Sequence, residues 1–147
     1  MASRRSASSE KTALVEALGQ VGLFSGLPKK KLQMIAEMCR DHSYSPGDEI
    51  VAQGDHSGRF YLIRDGTAEV HVNGRLITIL GPGQHFGEYS VIDQQPRTAT
   101  VRAATDVRAY SLASFTLRPL LKEEPEITYR FLLNTVEHLR AAQGSLR

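Results

Sequence analysis

Between residues 46 and 83 the chain is punctuated by Pro46-Gly47-Asp48, Gly54-Asp55, Asp65-Gly66, Asn73-Gly74 and Gly81-Pro82-Gly83. Glycine and asparagine reach positive φ at low cost and proline fixes its own φ, so turn signals this closely spaced leave room for short strands and not for helices. Residues 67–72 alternate, with Ala68, Val70 and Val72 on one face and Thr67, Glu69 and His71 on the other. Residues 59–64 and 75–80 are apolar enough for half-buried strands, and Asp65-Gly66 and Asn73-Gly74 would join all three as tight hairpins. A last strand is expected over 107–112. The pattern predicts an antiparallel barrel or jelly roll.

The flanks have helical texture. Residues 1–10 are small, polar and basic and read as a disordered tail ahead of a single domain over 11–147. A short helix is expected over 11–18, broken by Gly19 and Gly22, and residues 23–28 read as a packed turn with Pro28 near the start of a second helix. That helix would bury Leu32, Ile35, Ala36 and Cys39 and leave Lys29, Lys30 and Lys31 wet. Near the C-terminus, Ser114 is placed to cap a helix reaching Leu121, and Pro125 opens a longer one to about Ala142. Its packing side would carry Leu132, Thr135, Val136, Leu139 and Gln143, with Phe131 and Ala142 at its edge and Arg130, Asn134 and Glu137 opposite. Thr135 and Gln143 are the polar exceptions, both able to hydrogen-bond a heteroaromatic edge.

Composition narrows the function. At 147 residues, 41% hydrophobic and 23% charged, the chain can bury one core. Eighteen basic against sixteen acidic residues, a net charge of +2, is too balanced to point to a nucleic-acid or membrane surface. The lone Cys39 excludes an internal disulfide and reads as a structural thiol. No apolar run has the length of a membrane span and no secretory signal precedes the domain, so a cytoplasmic location is expected.

Residues 86–101, Phe-Gly-Glu-Tyr-Ser-Val-Ile-Asp-Gln-Gln-Pro-Arg-Thr-Ala-Thr-Val, carry the chemistry. Gly87 lets backbone approach a ligand, and residues 88–91 form a short helical turn whose free N–H groups favour an anion. In the strand-like stretch that follows, Arg97 is in phase with Ala99, Val101 and Ala103, and Arg102 with Thr98 and Thr100. Arg97 should therefore face the interior, where a guanidinium is costly unless an anion meets it.

With these residues in place the chain resembles the cyclic-nucleotide-binding domain family, which includes bacterial catabolite activator proteins, protein kinase A regulatory subunits and cyclic-nucleotide-gated channels. The resemblance rests on Leu23-Phe24-Ser25-Gly26-Leu27, Pro46-Gly47-Asp48, Gly54-Asp55, Gly66, Phe86-Gly87-Glu88 and Pro96-Arg97-Thr98-Ala99-Thr100-Val101. It implies an α+β fold: N-terminal helices, an eight-stranded antiparallel β-roll (jelly roll) interrupted by a phosphate-binding cassette, and two C-terminal helices. It also implies that Glu88 accepts a hydrogen bond from a ribose 2′-hydroxyl and that Arg97 pairs with a cyclic phosphate. Phe86, Gly87, Tyr89, Ser90, Thr98 and Ala99 would complete the cradle. Thr135, His138, Leu139, Ala142 and Gln143 would form a lid over the base.

Tyr89 departs from the family, where Leu is common, and Ser90 stands where a small Ala or Gly is frequent. The expected ligand is cAMP, with cGMP permitted by Thr98, and no cofactor or metal is expected. Only residues 144–147 follow the terminal helix, so no helix-turn-helix, pore, kinase or cyclase is expected. The implied function is a non-enzymatic sensor whose lid movement is read by a protein partner, without nucleic-acid or membrane contact. The alternative is that the chain is one module of a longer protein. Two other classes remain: a roll that has lost its ligand and serves as an interaction domain, and a cupin-like metalloenzyme. The second is disfavoured because His42, His56, His71 and His85 lack metal-ligand spacing and read as surface residues.

Overall fold

The structure is a computed structural model that describes residues 2–145, with side chains for residues 10–144. The helix α1 (Ala2–Gln20) takes in the stretch read as a tail, of which Met1 lies outside the described residues. No glycine or proline interrupts it before Gly19, and Ala, Ser, Arg, Glu and Lys are inexpensive in helices. A tight turn ending at Pro28 leads into α2 (Lys29–Met38), which buries Leu32, Ile35 and Ala36 as expected, with Cys39 at its C-cap.

Eight strands follow: β1 (Arg40–Tyr44), β2 (Glu49–Val51), β3 (Arg59–Asp65), β4 (Ala68–Val72), β5 (Arg75–Leu80), β6 (His85–Phe86), β7 (Thr100–Ala103) and β8 (Val107–Ala113). They form two antiparallel four-stranded sheets, ordered β1-β8-β3-β6 and β2-β7-β4-β5. Inserted between β6 and β7 is α3 (Glu88–Asp93), and α4 (Ser114–Glu123) and α5 (Pro125–Ser145) close the chain. This is the expected eight-stranded roll with helices at both ends.

The central strands of the first sheet, β3 and β8, are buried on both faces, which explains the unbroken apolar run Phe60-Tyr61-Leu62-Ile63 in β3. Phe60, Leu62 and Leu112 face the helices in a core shared with Phe24, Ile35, Leu117, Ile127 and Phe131. Tyr61, Ile63, Val107 and Ala109 face into the roll, where they meet Val51, Val101 and Ala103 of the second sheet. Phe60 is the hinge of the helical core, with its ring 6.0 Å from both Phe24 and Phe131.

Four local expectations are corrected. Asn73-Gly74 does form a two-residue hairpin, with φ of 53° and 77° and Val72 opposite Arg75. Asp65-Gly66 instead carries the chain from one sheet to the other, because β3 pairs with β8 and β6 while β4 pairs with β7 and β5. There a Cβ on Gly66 would lie 2.0 Å from the Asp106 carbonyl oxygen. Strand β5 is an edge strand with exposed Leu76, Ile77 and Ile79, not a half-buried one, since nothing among the described residues covers its outer side. Ser114 is the first residue of α4 and Ala113 its N-cap; the Ser114 amide donates to the Gly58 carbonyl at 3.0 Å.

The fourth concerns α5. The side expected to pack carries Leu132, Val136 and Leu139, all exposed. The helix docks through Ile127 and Phe131, and Arg130, expected on the wet side, donates from Nη1 to the Gly22 carbonyl (3.0 Å) and to Ser25 Oγ (2.7 Å). Among the described residues α5 buries apolar side chains only in its first turns, at Ile127 and Phe131, so the periodicity of the distal part has no core beneath it to select a face.

Candidate functional site

Residues 86–99 fold into a cradle whose floor is the interior of the roll. Gly87 takes φ 95° and caps α3, and a Cβ there would lie 2.3 Å from the Arg59 carbonyl oxygen and 2.6 Å from Arg97 Nη1. Only glycine fits that conformation and that space. The amides of the first turn of α3, at Glu88, Tyr89 and Ser90, have no intrahelical acceptor and point out of its N-terminus.

Arg97 is fixed through its backbone by the β2–β3 loop: its amide donates to the Asp55 carbonyl (2.7 Å) and its carbonyl accepts from Gly54 (2.9 Å). Asp55 accepts from the Ser57 hydroxyl and amide, which holds its carboxyl below the usual carboxylate range. The Arg97 side chain is 4% exposed and points inward as expected, but from the loop before β7 (Thr100–Ala103) and not from a strand, so the loop hydrogen bonds and not strand phase set its direction. Nη2 donates to the Arg59 carbonyl at 2.8 Å and Nη1 to the Gly87 carbonyl at 3.4 Å, whereas Nε is buried without a partner among the described residues. Burial pulls the guanidinium pKa down, opposed by Tyr61, Asp55 and Glu88. A guanidinium stays charged regardless, so two neutral carbonyls leave it short of an anion.

Glu88 is also 4% exposed. Its Oε2 lies 3.4 Å from Nδ1 of His85, and neither atom makes an aligned hydrogen bond among the described residues. A buried acceptor-only carboxylate and a buried donor-only guanidinium therefore face one cavity, each with capacity to spare. That cavity, about 200 Å³, is lined by Phe86, Gly87, Glu88, Tyr89, Ser90, Arg97, Thr98 and Ala99, with Val51, Val70, Leu80, Val101, His85 and His138. Phe86 shapes the floor by stacking on Tyr61, with ring centroids 5.0 Å apart at 10°.

Of the residues placed in a lid, His138 alone lines this cavity. Thr135 donates its hydroxyl to the Phe131 carbonyl within α5 (2.9 Å) and faces a different cavity, and Leu139, Ala142 and Gln143 are exposed. The sequence reading missed His85, taken for a surface residue: it is largely buried, 5.3 Å from the Phe60 ring and beside Glu88. Its position directly before Phe86, in the strand that delivers the cassette, was the available signal. His42 is likewise partly buried, with Nε2 2.7 Å from Ser111 Oγ. Among the described residues no three His, Cys, Asp or Glu side chains are grouped to hold a metal ion.

A β-roll with an inserted helical cradle presents one buried cation and one buried carboxylate to the same small cavity, the arrangement of a ligand-binding module. Residues 41–124 match the cyclic nucleotide-binding domain, and the chain belongs to that family. It is 30% identical over 136 residues to a CRP-like cAMP-activated global transcriptional regulator of Mycobacterium tuberculosis, an alignment covering 89% of this chain and 61% of that protein. It is 35% identical over 143 residues to a cAMP-dependent protein kinase regulatory subunit of Debaryomyces hansenii, covering 94% of this chain and 32% of that one. The catabolite activator protein of Thermus thermophilus superimposes with a TM-score of 0.77 at 28% identity, over 85% of this chain and 61% of that one. The chain thus spans less than two thirds of each of these proteins. Among the described residues no helix is long and apolar enough to cross a membrane.

Proposed function

We propose that this chain is a cytoplasmic cyclic-nucleotide sensor that binds cAMP in the cradle of residues 86–101, with cGMP as a weaker ligand. Arg97 takes the cyclic phosphate together with the first-turn amides of α3, and Glu88 accepts from the ribose 2′-hydroxyl. The observation that carries this reading is the buried, incompletely paired Arg97 guanidinium facing the buried Glu88 carboxylate across one cavity. The ligand supplies what each lacks: anionic oxygens for a donor fork and a hydroxyl donor for a carboxylate. Such charge-assisted bonds contribute about 1.5–3 kcal/mol each, and a few of them with base burial reach micromolar affinity.

The protein does no chemistry on the nucleotide. Binding draws the cradle inward and shifts α5, whose His138 stands at the cavity, and the changed surface is read by a protein partner and not by nucleic acid. Calorimetric titration with cAMP and with cGMP, in buffer without added metal, tests the reading. One saturable site for cAMP is expected, and no heat with either nucleotide overturns it. Tyr89 at the cavity mouth favours a second reading, an interaction roll that no longer binds, and the same titration separates the two.

A further inference from the structure

The Tyr89 side chain, unlike its amide, takes no part in the phosphate and ribose contacts proposed for the cradle, and it sits at a seam. The 200 Å³ cavity beside Arg97 is smaller than the roughly 300–1,000 Å³ typical of pockets for whole small-molecule ligands. It has room for a sugar phosphate. A groove of about 1,060 Å³ opens next to it between β4, β5 and α5, with Val72, Ile77, Tyr129 and Leu133 on its walls. Tyr89 and His138 line both spaces. Across the seam the Tyr89 hydroxyl lies 3.0 Å from Nδ1 of His138, with the two rings edge to face at 83° and centroids 6.4 Å apart.

We infer that the Tyr89–His138 pair is an autoinhibitory latch, which pins α5 to the cradle and must open before a base can pass from the cavity into the groove. The inference rests on the nucleotide-binding reading of the cradle. Beyond Thr135 the exposed residues of α5 include Val136, His138 and Leu139, so apolar burial does little to hold this part of the helix down. The latch is a hydrogen bond between one residue of the cassette helix and one of α5, 49 positions apart in the chain. Since the pair and the base compete for one seam, the free protein spends part of its time in a form that cannot take up ligand, and apparent affinity falls by the competent fraction. Removing the hydrogen bond while keeping the ring raises that fraction.

The test is Tyr89→Phe, which deletes the hydroxyl alone, with His138→Asn as a companion that keeps an amide able to bond Tyr89. In cAMP titrations Tyr89→Phe should bind about three- to tenfold more tightly than the wild type, the range set by one net hydrogen bond. His138→Asn is read by hydrogen exchange and not by affinity, because His138 itself lines the cavity. In the ligand-free protein, hydrogen exchange of the α5 amides beyond Thr135 should accelerate in Tyr89→Phe and not in His138→Asn. Weaker binding by Tyr89→Phe makes the hydroxyl a ligand contact and overturns the latch, as does unchanged exchange. If the wild type binds neither nucleotide, the functional reading fails, while the exchange comparison still decides whether the pair pins α5.

Discussion

Arg97 holds the Arg59 backbone: its Nη2 donates to the Arg59 carbonyl at 2.8 Å, tying the cradle to the first residue of β3. The same guanidinium leaves Nε buried without a partner, so one side chain both braces the fold and presents charge to the cavity. Arg97→Lys should separate the two roles. An ammonium keeps the charge but loses the planar fork that matches phosphate oxygens. We expect cAMP affinity to fall about tenfold or more for Lys and further for Ala, each lost charge-assisted bond being worth about 1.5–3 kcal/mol. Full-strength binding by Arg97→Ala in calorimetry would remove Arg97 from the site.

Gly87 is required twice over, by its φ of 95° and by the 2.3 Å that would separate a Cβ from the Arg59 carbonyl oxygen. Gly87→Ala should lower stability by more than the roughly 1–3 kcal/mol of left-handed strain alone, and should abolish cAMP binding. Gly74→Ala is the control: its φ is 77° but nothing lies within 4 Å, so it carries the strain without the clash. Thermal unfolding of the two variants side by side reads the difference, and equal melting temperatures would contradict it.

The Glu88 carboxylate is placed to accept a hydroxyl proton, and its Oε2 is buried without an aligned hydrogen bond among the described residues. Glu88→Ala should therefore weaken cAMP far more than 2′-deoxy-cAMP, by about tenfold or more against little change. Parallel losses for the two ligands would take Glu88 off the ribose.

Much of this site was legible because the local rules and the tertiary structure agree there. Strand phase picks Arg97 over Arg102, and Arg97 is buried while Arg102 is exposed and lies 3.8 Å from Glu49, although only Arg102 is on β7 and Arg97 is turned inward by the loop before it. Asn73-Gly74 specifies its turn through φ at two adjacent residues, so context had little to add. Asp65-Gly66 reads the same way locally, yet which sheet each flanking strand joins is decided by partners some 40 residues downstream in β7 and β8. The face of α5 failed for a related reason. Leu132, Val136 and Leu139 have helical periodicity, but Ile127 and Phe131 find the core first and fix the rotation. His85 was lost because a lone histidine carries no pattern, and its meaning comes from Glu88 folding back against it.

Cys39 gives a check on the helical side of the structure that is independent of any ligand. Burial pushes its thiol up to about 12, so almost none is thiolate near neutral pH. The native protein should react with iodoacetamide at pH 8 far more slowly than the unfolded chain. Comparable rates would mean that α2 does not hold Cys39 against the core.

His42 ties stability to pH. Its Nε2 shares Ser111 Oγ with Nη1 of Arg59, at 2.7 and 2.9 Å, inside a sheet where Ser111 is 1% exposed. Burial first, then the Arg59 charge with a contribution from Arg40, lowers the His42 pKa below its ordinary 6.5, while Asp41 works the other way. Tyr44 and Tyr61 flank the ring at 6.0 and 5.9 Å, and burial raises the Tyr44 hydroxyl to about 12. The unfolded chain thus binds the proton more readily than the folded one. The contribution of His42 to stability is complete above the unfolded value of 6.5 and is lost as pH falls through the lower folded value. His42→Gln keeps a polar group within reach of Ser111 but cannot take up that proton. Its melting temperature should therefore decline less than the wild type's between pH 7.5 and pH 5. Matching slopes for the two proteins would show that His42 titrates alike in both states, which the shared Ser111 hydroxyl and the nearby guanidinium argue against.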